Sequence, residues 1–259
     1  MKTSCRLLLP ILFGTMLLAA CSGSERAKIT DVAQLDGKEF AVPTGTVADQ
    51  LVRAKLPKAQ FKYFNTVLDA AMAVKGGKAD AAAYDEPILR NIAGKNPGLV
   101  VLPQPITVDE YGFAVRLGDT ALKEAVDAVV AEARADGTYQ QMMDRWLPKA
   151  GAPGSMPALP AGTGEPLRFG TSATTEPFSF VDGSQKVVGF DVEIATRVAA
   201  RLNRKLEIVN MDFGAMIPAL IAGKVDFIGA CITITDERKK SVLFSESYYT
   251  CGISALVRQ

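Results

Sequence analysis

Apolar residues along the first half of the chain fall into short runs of two kinds. In one kind they are contiguous and rich in Val, Ala, Phe and Tyr, which predicts strands at Glu39–Val42, Phe61–Phe64, Ala79–Tyr84, Leu99–Leu102 and Tyr111–Val115. In the other they recur every three or four positions, which predicts helices over Val47–Lys55, Val67–Val74, Pro87–Ala93, Thr120–Ala135 and Thr138–Trp146. Strand and helix alternate, so this half reads as α/β, with a mostly parallel sheet flanked by helices.

The pattern breaks at Pro148. Residues 148–166 concentrate proline with Gly, Ala and Ser between, and hold too little apolar side chain for a core, so they read as a linker. A second α/β run follows. It has strands at Leu167–Thr171, Leu206–Asn210, Val225–Gly229 and Gly252–Val257, helices at Phe190–Leu202 and Ala215–Ala222, and a helical turn at Asp236–Val242. The two runs echo one another: a helix, then Gly77-Lys78-Ala79-Asp80, then a buried strand; and a helix, then Gly223-Lys224-Val225-Asp226, then a buried strand.

The N-terminus adds a destination. Lys2 and Arg6 precede an apolar stretch, Leu7–Leu18, too short to span a bilayer, and Leu18-Ala19-Ala20-Cys21 follows at once. Small residues before a cysteine resemble the bacterial lipobox. Residues 1–20 are therefore expected to be a lipoprotein signal peptide, with lipid on Cys21, residues 21–28 as a tether, and the protein held at a bacterial membrane in the periplasm or at the cell surface. Composition then narrows the function. Net charge is +1 without a long basic run, which argues against nucleic acid as a partner. The chain has no histidine, which removes Ser-His-Asp and Cys-His nucleophile systems and most zinc sites; no catalytic residue, cofactor or metal is expected. Beyond Cys5 and Cys21, only Cys231 and Cys251 remain, as a disulfide or as two free thiols.

Ligands of such sheets sit beyond the carboxyl ends of the strands, where helix N-termini point their N–H groups outward. Four clusters lie there. In Cys231-Ile232-Thr233-Ile234-Thr235-Asp236-Glu237-Arg238, Thr235 is placed to cap a short helix, Arg238 falls in its first turn, and Thr233 adds a hydroxyl: a carboxylate receptor, or a solvated arginine. Thr44-Gly45-Thr46-Val47 is a tight strand-to-helix turn whose Thr46 and Val47 N–H groups suit an anion, or an ordinary turn. Asp85, after an uncharged strand and before Pro87, is a helix cap or, in a cleft, a partner for an ammonium group. Phe178, Phe180 and Phe213 are core residues or the wall of a side-chain pocket. Together the clusters describe a receptor for an α-amino acid.

At these residues a family becomes recognisable. Residues 167–259 resemble the first lobe of the polar amino-acid family of periplasmic substrate-binding proteins, through Pro177-Phe178-Ser179-Phe180, Gly189-Phe190-Asp191-Val192-Glu193, Asp212-Phe213, Ile217-Pro218-Ala219-Leu220 and the segment ending at Arg238. Residues 29–106 resemble the second lobe, and residues 107–147 the returning strand and closing helices of the other lobe. The motifs are Leu35-Asp36-Gly37-Lys38, Gly45-Thr46, Ala79-Asp80-Ala81, Asp85, Tyr111-Gly112, Asp136-Gly137-Thr138 and Trp146. The resemblance implies a two-lobed type II binding-protein fold. The family order is reversed, which implies a circular permutant cut at one hinge crossing, with one covalent crossing near residues 105–111 and Gln259 close to residues 27–30, within about 20 Å.

The resemblance also implies roles. Arg238, aided by Thr233 and the N–H groups of Thr46 and Val47, would take the α-carboxylate; Asp85 and the Cys231 carbonyl the α-amine; and Phe213 would pack on the side chain. Thr175 falls where relatives place an aromatic clamp and Ser172 where several place an acid; Glu176 and Phe178 complete the expected set. The implied protein is a monomer that hands its amino acid to an ABC permease and catalyses nothing. Its rivals are a cyclohexadienyl dehydratase-like enzyme on the same fold, with Glu176 as its acid, and a ligand-sensing or docking lipoprotein without a transport role.

Overall fold

The computed structural model describes residues 28–148 and 151–259; the expected signal segment, nearly all of the tether and Cys21 lie outside them. A 3-10 turn, Val32–Leu35, opens the fold behind Asp31, whose carboxylate accepts from Ala33 N–H. Then come β1 (Glu39–Pro43), α1 (Ala48–Lys55), β2 (Gln60–Phe64), α2 (Val67–Lys75), β3 (Ala81–Asp85), α3 (Glu86–Lys95) and β4 (Leu99–Val101). β5 (Asp109–Tyr111), β6 (Ala114–Arg116), α4 (Thr120–Ala135) and α5 (Thr138–Trp146) complete the first half. The second half runs β7 (Gly164–Thr171), β8 (Thr174–Thr175), β9 (Ser179–Val181), β10 (Val187–Val188), α6 (Phe190–Arg201), β11 (Arg204–Asn210), α7 (Met216–Ile221), β12 (Phe227–Ile228), α8 (Asp236–Lys239), β13 (Val242–Phe244), β14 (Tyr249–Cys251) and β15 (Ile253–Arg258).

Two five-stranded sheets carry the fold, in the orders β2-β1-β3-β15-β4 and β11-β7-β12-β6-β13. In each, the first three strands are parallel and the fourth is antiparallel to its neighbours. β3 is buried along its whole length, as a central strand with helices on both faces must be, and its alanines let α1 and α2 pack close. The echo in the sequence becomes a shared backbone geometry. Gly77 and Gly223 have φ of 75° and 69°. Lys78 N–H bonds Ala73 O and Lys224 N–H bonds Ala219 O, at 2.8 and 2.9 Å. Asp80 and Asp226 each accept from the N–H of a residue on the neighbouring strand, Glu39 and Arg168. The last residue of each antiparallel strand, Arg258 or Arg116, donates to the matching carbonyl, Ala79 O at 2.9 Å or Val225 O at 2.8 Å.

Each sheet borrows its antiparallel strand from the other stretch of chain. β15 follows the second α/β run but bonds β3 and β4, so residues 167–259 do not lie wholly in one lobe, as the sequence led us to expect. The chain therefore crosses between lobes twice, through β5 and through β14, and the two crossings pair antiparallel with Tyr111 opposite Tyr249. A single covalent crossing is thus corrected to two. The same crossing explains why the strand expected at Tyr111–Val115 is split: β5 bonds β14, Gly112 N–H bonds Ile232 O, and β6 then joins β12 and β13.

α5 is fastened to α6 by Glu193, which is fully buried. It accepts from Arg145 and from the Trp146 indole at 2.7 Å each, and from Arg197 at 2.6 Å. The helical turn expected to reach Val242 ends at Lys239, and Val242 instead opens β13. Cys231 and Cys251 are free thiols, the first buried and the second partly exposed.

Candidate ligand site between the two sheets

The carboxyl ends of the parallel strands of both sheets face one another, and the residues just beyond them meet. Thr46, Val47, Tyr84, Asp85 and Ile253 from one lobe, with Phe213, Cys231, Thr233 and Arg238 from the other, line one cavity. It encloses about 10 Å³, too little for an amino acid.

Asp85 ends β3 and is 3% exposed. Its carboxylate makes no capping bond to α3, so the helix-cap reading fails; it accepts instead from the hydroxyl of Tyr111. Burial pushes its pKa up to about 7, against the pull of the Tyr111 hydrogen bond and of Arg238. Arg238 stands where the spacing put it. Thr235 caps α8 by accepting from Arg238 N–H at 3.2 Å, and the side chain turns back so that Nη1 donates to Thr233 O at 3.0 Å. Its guanidinium lies 5.6 Å from the centre of the Phe213 ring, a cation–π contact. Burial lowers its pKa, while Tyr84 and Asp85 oppose that shift.

The Thr46 and Val47 N–H groups stand ahead of α1, where a helix leaves its first donors without intrahelical partners. Gly45, at φ 80°, makes that turn possible, and a Cβ there would lie 2.7 Å from the Gly214 Cα of the other lobe. Cys231 also has positive φ, 53°, and its N–H donates to the buried carboxylate of Asp191 at 3.1 Å.

Not all the expected residues converge. Glu176 points away, its carboxylate bonded to Lys95 of α3 at 2.6 Å, and it lines neither cavity of the site. Phe178 is fully buried, packed edge-on against Phe190 and Tyr249, because a benzyl group gains more in that core than in a polar cleft. Thr175 is 2% exposed, its hydroxyl donated to Ser172 O at 3.0 Å, so it offers the cleft nothing.

Ser172 instead lines a second cavity of about 470 Å³, which shares Tyr84 and Phe213 with the first. Asn65, Thr66, Thr174, Asn210 and Asp212 also line it, and sequence reasoning missed them. They lie at or just past the ends of β2 and β11, or beside Ser172, so the strand-end rule applied to those two edge strands would have found most of them. A larger cavity, about 680 Å³, lies among α3, α5 and the linker. Its charged residues are already engaged, Glu86 with Arg90 and Lys95 with Glu176, so it lacks the paired free charges of an amino-acid receptor.

Residues 167–259 match the bacterial extracellular solute-binding proteins, family 3. The match covers about the last third of the chain, and over that stretch the chain is similar to that family. Over 86 residues it is 44% identical to the arginine-binding extracellular protein ArtP of Bacillus subtilis, covering 33% of each chain. Over 122 residues it is 30% identical to the glutamine-binding protein GlnH of the same species, covering 47% of this chain and 45% of the relative. A crystal structure of the arginine-bound domain 1 of TmArgBP, as a Phe57Trp mutant, is 41% identical over 36% of this chain and 78% of its own, with a TM-score of 0.33. The matches span a third to just under half of the curated relatives' length. These relatives are amino-acid-binding proteins, named for binding and not for catalysis.

Proposed function

We propose that this protein is an extracytoplasmic solute-binding lipoprotein that captures a free amino acid between its lobes and delivers it to an ABC transporter. The observation that carries the reading is the convergence of Arg238 with the Thr46 and Val47 N–H groups, and of Asp85 with Cys231, in one cavity walled by both sheets. In this reading the guanidinium and the N–H groups hold the α-carboxylate, with Thr233 beside them. Asp85 and the Cys231 carbonyl hold the α-ammonium. Each pairing is charge-assisted and shielded from water, which makes it strong and orients the ligand. Entry requires the lobes to part, because the space between these groups is smaller than the ligand. Lipid on Cys21 would hold the protein at the membrane.

We also infer that the lobes are joined in permuted order. Lys28 and Ile29 line the same surface cavity as Arg258 and Gln259, which supports the closeness of residues 27–30 to Gln259 that this order implies. No observation favours the enzyme reading: its nominated acid, Glu176, is engaged by Lys95.

The test is a thermal-shift screen of the chain beginning at Ser22 against the twenty amino acids, several dicarboxylates and prephenate. A ligand that binds only the folded state raises the unfolding midpoint by mass action. A rise with one or a few amino acids is expected; no rise with any of them would sink the proposal.

A further inference from the structure

We propose that the end of the lobe of β1, β2 and β3 that carries Lys28 is a basic face which lies on anionic phospholipid headgroups. That it is turned to a bilayer rests on the lipoprotein reading above; its charge does not.

Position in the fold gathers the lysines. β1, β2 and β3 run parallel, so their amino ends share one end of the lobe, and α1 and α2, returning between them, finish there. Lys38 stands directly before β1, Lys58 before β2 and Lys78 before β3, while Lys55 and Lys75 close α1 and α2. All five are exposed, as is Lys28. Contacts bind this end together: Lys28, Lys38 and Arg258 line one cavity of about 550 Å³, Lys58 N–H donates to Asp36 Oδ1 at 3.1 Å, and Lys62 donates to Lys78 O at 2.9 Å. The helix dipole favours a lysine that closes a helix, which accounts for Lys55 and Lys75 but not for the three ahead of the strands.

Little opposes these charges. Among the described residues, none of the six lysines is in an ion pair. The carboxylates of Asp31, Asp36 and Asp80 at this end accept from the N–H groups of Ala33, Lys58 and Glu39, and Glu39 itself holds Lys62 at 2.6 Å. The matching end of the other lobe is built differently. There Arg168, Arg204 and Arg116 converge on Asp226, at 2.7, 3.7 and 3.7 Å, and Arg201 holds Glu132 at 2.7 Å. One lobe end has most of its cations neutralised; the other presents them to solvent where the chain leads to Cys21. Cys21 stands seven positions before Lys28, a reach of at most about 25 Å. A lipid on Cys21 therefore brings this end, before any other, to the headgroups, where each lysine strengthens binding about fivefold.

The test is co-sedimentation of the chain beginning at Ser22, which carries no lipid, with vesicles of phosphatidylglycerol or of phosphatidylcholine. At low salt it should bind the first at least about tenfold more than the second. Salt at about 0.5 M, where the Debye length falls below about 5 Å, should release it. Lys38→Gln, Lys58→Gln and Lys78→Gln combined should cut binding to phosphatidylglycerol at least about tenfold while the melting curve stays in place. Lys186→Gln, Lys205→Gln and Lys224→Gln combined remove the same charge from exposed positions of the other lobe and should leave binding nearly unchanged. Equal binding to the two kinds of vesicle, or equal loss in the two variants, would overturn the docking face. The anchor has its own readout: a Cys21 that takes up no labelled palmitate in bacteria expressing the full chain would remove the tether and leave the charged face standing, so the two failures are distinguishable.

Discussion

The backbone N–H of Cys231 donates to Oδ2 of Asp191 across 3.1 Å in the core, and so ties the start of α6 to a residue that lines the candidate site. The Tyr248 hydroxyl is buried beside the same carboxylate. Burial raises the Asp191 pKa from 3.8 to about 7, against the pull of the Tyr248 hydroxyl and the Cys231 N–H, with Asp85 adding to the rise. Asp85 is raised to about 7 as well, and again burial is the main cause.

A raised carboxyl pKa makes stability depend on pH with a definite sign. Below the unfolded value both groups are neutral in either state; as pH climbs from 3.8 to about 7 the unfolded chain releases these protons while the folded core holds them, so stability is lost. The unfolding midpoint should therefore fall between about pH 4 and pH 7, by several degrees or more, and level off above it, and Asp191→Asn should flatten part of that fall. Calorimetry across this range checks it, and a midpoint that rises with pH would contradict the assignment.

Ligand affinity should run the other way. Asp85 holds an ammonium only when ionised, so affinity for an amino acid should drop as pH falls below about 7, by at most about tenfold per unit. Asp85→Asn should remove this dependence and weaken binding about thirtyfold or more. Titration calorimetry at pH 5.5, 7 and 8.5 distinguishes the two proteins.

Arg238→Ala should cost about 2 to 5 kcal/mol of binding, since it leaves a carboxylate unpaired in a water-poor site. That corresponds to about thirtyfold to several thousandfold in dissociation constant. Unchanged affinity would remove Arg238 from the carboxylate site.

Gly45→Ala should weaken binding more than it weakens the fold. Its φ of 80° strains any side chain, and its Cβ would press on Gly214 of the opposite lobe at 2.7 Å, which holds the lobes apart. Titration beside a melting curve separates the two effects; equal losses in both would argue for a purely local role.

Glu193→Ala tests the fold alone. Removing the buried carboxylate leaves Arg145, Arg197 and the Trp146 indole without their partner. A loss of about 3 to 5 kcal/mol is expected in denaturant melts, with ligand affinity of the remaining folded protein unchanged.

Local pattern carried much of this protein. The alternation of apolar runs announced nearly every helix and long strand, because burial of a strand or a helix face demands its own periodicity. The Gly77–Asp80 and Gly223–Asp226 turns were visible as kin, since a positive φ and an acid that bonds the neighbouring strand each need a particular residue. Arg238 was placed by the Thr235 cap three residues before it, again a local rule.

What lay beyond reach depended on distant partners. β8, β9 and β10 are too short to show a period, and so is β13, whose first residue, Val242, the pattern places at the end of a helical turn. That β15 joins the sheet of β1, that Glu176 spends its charge on Lys95, and that Phe178 faces Phe190 and Tyr249 all follow from contacts between residues far apart in the chain. The order of residues determined the elements, the turns and the chemistry on offer, because each is set within a few positions. Only the tertiary structure decided which lobe each strand serves and which charges remain for a ligand, because a hydrogen bond or an ion pair is allotted by proximity in space.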